Sequence, residues 1–169
     1  MHHPDVQRVL APAFLVDRDE AELESLYARR EELHRVEGQV SYVRRLAQGR
    51  IEILCAELER RDRGGDPQDL AELICRIPDV MGGGDTVPST RGGDELTPDE
   101  SFVAQIDAVV GPSAFLALPD YSPSEIDGQV VALEGFERQV SDARRLLHEK
   151  IDLLQCEIAR RFRGAEPVG

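Results

Sequence analysis

A long helical segment occurs twice in this chain, at an offset of 100 residues. LHRVEGQVSYVRRLAQGRIEILCAELERRDRG, from Leu33 to Gly64, aligns without a gap on LEGFERQVSDARRLLHEKIDLLQCEIARRFRG, from Leu133 to Gly164. Each copy carries an apolar seam at coiled-coil spacing: Leu26, Leu33, Val36, Val40, Val43, Ala47, Leu54 and Leu58, then Ile126, Leu133, Phe136, Val140, Ala143, Leu147, Leu154 and Ile158. A helix with one such stripe needs a second helix to cover it, and the duplication supplies one in the same chain. The composition agrees: with no Trp, 5% aromatic and 31% charged residues, the 169-residue chain is better suited to long helices than to a thick globular core.

The repeat also preserves polar positions that a coiled coil has no need of. Glu37, Ser41, Arg44, Gln48 and Glu52 in the first copy correspond to Glu137, Ser141, Arg144, His148 and Asp152 in the second. At about 100° per residue these five positions fall at roughly 0°, 40°, −20°, 20° and 60°, a narrow polar ladder rising about 22 Å beside a seam centred near roughly −75°. Polar stripes flanking a seam are ordinarily solvated and laced with intrahelical ion pairs. Serine in mid-helix is only a mediocre helix former, however, and here it recurs at the same place.

The geometry of pairing decides what the ladders can do. Two parallel helices would carry them on opposite faces, whereas an antiparallel pair brings both to one face. The expected fold is therefore all-α, two long helices forming an antiparallel coiled-coil hairpin with short helices in a flexible acidic connector. Val40 and Val43 should then lie near the level of Val140 and Ala143. The composite face would have pseudo-two-fold symmetry and suit a ligand that is itself two-fold symmetric. Arginine can fork onto guanine O6 and N7 or onto phosphate, and a carboxylate can accept from guanine N1–H and the N2 amino group. Serine and glutamine add short polar contacts between them. Together these are tools for guanine with phosphate.

The boundaries follow from end signals. After an N-terminal segment, residues 1–16, the first motif helix is expected over 17–63, with Asp19, Glu20, Glu22 and Glu24 at its positive end and Gly64 at its exit. A connector over 64–121 precedes the second motif helix and tail, 122–169, which opens on Ser122-Pro123 and exits at Gly164. Both helices end RR-x-RG, a C-terminal capping signal in the first place. Within the connector, Pro67–Arg76 after Asp66 and Pro98–Val110 after Thr97 read as short helices. The Gly-rich run Met81 to Glu95 lacks the GK[ST] ending of a P-loop and reads as a flexible linker. The connector is expected to be the most mobile part, because it holds most of the excess negative charge and little apolar surface. His2 and His3 read as part of a disordered start.

Net charge is −13, and Gly64 to Tyr121 holds 11 acids against two bases. Such a balance disfavours DNA or an anionic membrane as partner and favours a basic protein. The N-terminus lacks the charged region and long apolar run of a signal peptide, which points to the cytoplasm. Cys55, Cys75 and Cys156 are too scattered for a metal cluster and read as reduced packing residues. No triad, metal set or cofactor loop accompanies the arginines, so no catalytic residue is assigned.

The pattern E-x3-S-x2-R-x3-Q-x3-D, present twice with fixed spacing across both long helices, resembles the signature of RsiG, the actinobacterial anti-sigma factor family. The resemblance implies an antiparallel hairpin that binds a dimer of cyclic di-GMP and, when liganded, holds a WhiG-like flagellar-type sporulation sigma factor inactive. It also implies that Glu37, Ser41, Arg44, Gln48, Glu137, Ser141, Arg144 and Asp152 contact the ligand. Glu52 replaces the pattern's final Asp and keeps the carboxylate; His148 replaces its Gln and leaves that contact open. The competing reading is a structural coiled-coil adaptor without a small-molecule ligand.

Overall fold

The computed structural model describes residues 1–65 and 99–164. Five α-helices lie in these stretches: α1 (Pro4–Leu10), α2 (Leu23–Asp62), α3 (Glu100–Asp107), α4 (Pro112–Leu116) and α5 (Pro123–Gly164), with 3-10 turns at Pro12–Leu15 and Leu118–Asp120. The two long helices pack against each other in antiparallel fashion. Glu37 of α2 meets Arg144 and His148 of α5, while Glu137 of α5 meets Arg44 and Gln48 of α2, so position rises on one helix as it falls on the other. Nearly every expected seam residue is buried, from Leu26 to Leu54 and from Ile126 to Ile158, in one continuous apolar core. Leu58, at the end of α2, is the partly covered exception.

The duplication reaches further back than the long helices. Val9-Leu10-Ala11-Pro12 precedes the first as Val109-Val110-Gly111-Pro112 precedes the second, so each unit is a short helix, a proline-initiated turn and a long helix. The short elements cross over: α3, from the second unit, packs on α2, and α1, from the first, packs on α5. A basic residue at the same repeat position fastens each crossing. Arg50, 1% exposed, donates to the Val110 carbonyl at 2.6 Å and to Asp107 Oδ1 at 2.6 Å. Lys150 donates to the Ala11 carbonyl at 2.8 Å, one repeat position from the equivalent carbonyl. Burial pushes the Lys150 ammonium below its ordinary pKa.

Several expectations need correction. The first long helix starts at Leu23 rather than Asp17. The carbonyls of Arg18 and Ala21 are taken by Arg161 of α5, and the chain first turns to bury Leu15, so residues 17–20 form a turn in place of a helical first turn. The N-terminus is ordered: the His3 ring stacks on Phe102 with centroids 3.5 Å apart and caps α1 by accepting from Asp5 N–H on Nδ1. With Nδ1 an acceptor, the ring proton sits on Nε2 and is donated to Ser101 Oγ at 2.9 Å; burial accordingly lowers the His3 pKa. The latter part of the connector is not apolar-poor, because Phe102, Ile106, Val110, Phe115 and Leu118 are all buried. Its first described helix is capped by Asp99, which accepts from Ser101 N–H at 2.8 Å, and spans Glu100–Asp107 rather than Pro98–Val110. Pro67–Arg76, Cys75, Thr97 and the Gly-rich run lie outside the described residues.

The other end signals act locally. Ser122 and Glu125 cap α5 reciprocally, with Ser122 N–H donating to Glu125 Oε2 at 2.7 Å and Glu125 N–H to Ser122 Oγ at 3.3 Å. Gly64 leaves α2 at φ 71°, the left-handed conformation that a Cβ would oppose. Cys55 is half-buried, and burial pushes its thiol pKa up; Cys156 is exposed and is not a packing residue.

Candidate functional site

Antiparallel pairing places the two polar ladders on one face of the hairpin, and their members meet across the helix gap. Glu37 Oε1 accepts from Ser41 Oγ (2.6 Å), from Arg144 Nε (2.9 Å) and from His148 Nε2 (3.0 Å). Ser41 Oγ also accepts from Arg144 Nε at 2.8 Å. Burial would raise the Glu37 pKa, but the bonds from Ser41, His148 and Arg144 outweigh it and hold the carboxyl below its ordinary value. Across the pseudo-dyad, Glu137 Oε1 accepts from Ser141 Oγ (2.9 Å) and Gln48 Nε2 (3.3 Å), with the Arg44 guanidinium at 3.7 Å. Glu52 and Asp152, the last rungs, stand exposed at opposite ends of the composite face. A depression of about 540 Å³ opens beside the second half, lined by Gln48, Ile51, Glu52, Glu134, Glu137 and Arg138. Ladder carboxylates and arginines keep part of their surface open, so their ion pairs can be exchanged for an incoming partner.

A second set of repeated polar residues lies elsewhere and was not recognised as a unit from the sequence. Glu57, fully buried, accepts from Arg60 Nε and Nη2 at 2.7 Å each and from Arg61 Nε at 2.5 Å. Glu157 is bonded in the same way by Arg160 and Arg161, all at 2.7 Å. The held arginines then reach across to the other unit. Arg61 donates to the Tyr121 carbonyl and, at 2.7 Å, to the Leu118 carbonyl, while Arg161 donates to the Ala21 carbonyl and, at 2.7 Å, to the Arg18 carbonyl. Each long helix thus ends by clamping the backbone that leads into the other. The shared RR-x-RG ending is a clamp as well as a cap, and its first two arginines are committed to protein partners. The signal that could have found them is the acid three and four residues before the paired arginines, present in both copies as E-x2-RR.

Duplicated ladders on one face of an antiparallel hairpin match the arrangement that the sequence pattern implied. A family described as RsiG-like matches residues 12–77 and 118–169, which takes in both long helices. The chain belongs to the RsiG-like family. It is a family of anti-sigma factors, not known as enzymes, and the partner that membership implies is a sigma factor. The family match does not extend over α1 or α3, so the crossed short helices are a feature of this chain's structure that the family assignment leaves unaddressed. No curated protein matches the chain. Among the described residues, no helix is long and apolar enough to cross a membrane, and no three His, Cys, Asp or Glu side chains gather as a metal ion would need.

Proposed function

We propose that this anti-sigma factor binds cyclic di-GMP on the ladder face and, when liganded, sequesters a WhiG-like sigma factor of the flagellar, sporulation-linked type. The observation that carries the reading is the placement of Arg44 and Arg144, each beside a carboxylate of the opposite helix, on one pseudo-symmetric face. A guanine dinucleotide is two-fold symmetric, offers O6 and N7 to an arginine fork and phosphate oxygens to a second, and presents N1–H and N2 donors to Glu37, Glu137, Glu52 or Asp152. Exchange is possible because the ladder ion pairs remain partly exposed. The chain's net charge of −13 suits a sigma factor's basic, promoter-facing surfaces, and a ligand shared at the boundary makes the complex conditional on dinucleotide concentration.

Thermal melting with and without cyclic di-GMP tests the first half of this reading, since a ligand that binds only the folded form raises the midpoint by mass action. A rise in melting temperature, followed by dinucleotide-dependent capture of the sigma factor by the full chain, is the expected result. An unmoved midpoint at millimolar dinucleotide, with the sigma factor captured equally well in its absence, would leave a coiled-coil adaptor without a ligand.

A further inference from the structure

The two halves of the ladder face contain corresponding residues but differ in how far those residues are already engaged. In the half built on Glu37, three donors converge on a single carboxylate oxygen, and Arg144 Nε is shared between Glu37 and Ser41. In the half built on Glu137, the Gln48 bond is long at 3.3 Å, the Arg44 ion pair is 3.7 Å, and Arg44 Nε is buried with no acceptor at all. The difference traces to a departure between the copies. His148 stands where the first copy has Gln48, and its ring nitrogen reaches Glu37 at 3.0 Å, closing that side. The depression of about 540 Å³ opens beside the Glu137 half, where Gln48, Glu52 and Glu137 contribute to its wall.

A buried N–H without an acceptor is costly, and a ligand oxygen or ring nitrogen that satisfies it recovers that cost on binding. At the other half, a ligand acceptor that takes Arg144 Nε must first displace Glu37 and Ser41 from it. We propose that the two halves fill in order: a guanine dinucleotide is taken first by Arg44, Gln48 and Glu137, and a second only after the Arg144–Glu37 pair opens, with His148 setting the delay. This rests on the reading of the ladder face as a dinucleotide site.

Titration calorimetry of the full chain with cyclic di-GMP, with helicity checked by circular dichroism, tests it. Two events whose dissociation constants differ by about tenfold or more are expected. Arg44→Ala should weaken the first event by about tenfold or more, whereas Arg144→Ala should weaken the second by a similar factor and shift the first by less than about threefold. His148→Gln, which restores the first copy's residue, should bring the two constants within about threefold of each other. Two indistinguishable events, or equal losses in both arginine variants, would overturn the ordered filling while leaving the ligand reading in place. No heat from the unsubstituted chain would remove the ligand reading and the order with it.

Discussion

Glu37 and Glu57 are both carboxylates of α2 that recur a hundred residues later and bond arginines, yet they sit in opposite physical regimes. Glu57 is fully buried, both of its oxygens are used, and the arginines it holds go on to bond backbone carbonyls of the other unit. Glu37 is half-buried, uses one oxygen, and faces a position whose counterpart holds an arginine nitrogen with no acceptor. Duplication alone therefore does not distinguish structure from function. Saturation does: a repeated polar group whose bonds are complete and enclosed belongs to the scaffold, and one whose bonds are partial and accessible has capacity left for a ligand.

The largest effect is expected from a change that removes both regions together. Val40 is fully buried in the seam, so Val40→Asp forces a carboxylate among apolar side chains or opens the hairpin, at a cost of about 4 kcal/mol or more. Against a total stability of about 5–15 kcal/mol, loss of the cooperative melting transition in circular dichroism is the expected outcome. A variant melting within a few degrees of the parent would show that the seam is not what joins the helices.

Next comes the clamp. Arg61→Ala strips donors from the Tyr121 and Leu118 carbonyls, and Arg161→Ala does the same to Ala21 and Arg18. Each should cost about 2–4 kcal/mol in urea unfolding. The clamps lie at opposite ends of a hairpin whose helices run about 60 Å, so the two losses should add. Strong non-additivity would mean that the ends communicate and that the clamps are not independent fasteners.

What the sequence disclosed follows the same division. The seam, the antiparallel sense and the ladder were legible because each depends on helical periodicity, which one strand of sequence contains in full. The clamps were half-legible: RR-x-RG is visible as a helix ending, but its carbonyl partners lie 57 to 143 residues away and have no side-chain signature. Arg50 and Lys150 were visible only as basic residues at one repeat position, and the crossed short helices that give them partners were hidden behind a weak likeness around Pro12 and Pro112. The start of α2 was misplaced for the same reason, since acids after Asp17 favour a helix locally while Arg161 claims the carbonyls from a distance.

Smaller in stability, and larger in binding, is the expected effect at the ladder. Arg44→Ala removes a weak ion pair at 3.7 Å and a buried nitrogen that lacks an acceptor, so stability should change by less than about 1 kcal/mol. Cyclic di-GMP binding should weaken by about 1–3 kcal/mol for a lost bidentate guanine contact. A variant that loses stability as a clamp variant does, or binds the dinucleotide normally, would erase the distinction between the two regions at this residue.

The most delicate comparison is by acid titration. Hydrogen bonds from Arg160 and Arg161 hold the Glu157 carboxyl at about 2, against an ordinary 4.5. A folded-state value below the unfolded one means that the contribution is whole above pH 4.5 and is lost as pH falls from there toward 2. Glu37 is also lowered, but there burial, working against the donors, is the largest single influence, so its share of the acid limb should be the smaller. Urea midpoints measured across this window should therefore decline with a slope that Glu157→Gln reduces more than Glu37→Gln does. Equal slopes in the two variants would mean that Glu37 is held as tightly as the clamp acid, and a carboxylate so held would have no capacity left to exchange Arg144 and His148 for a ligand.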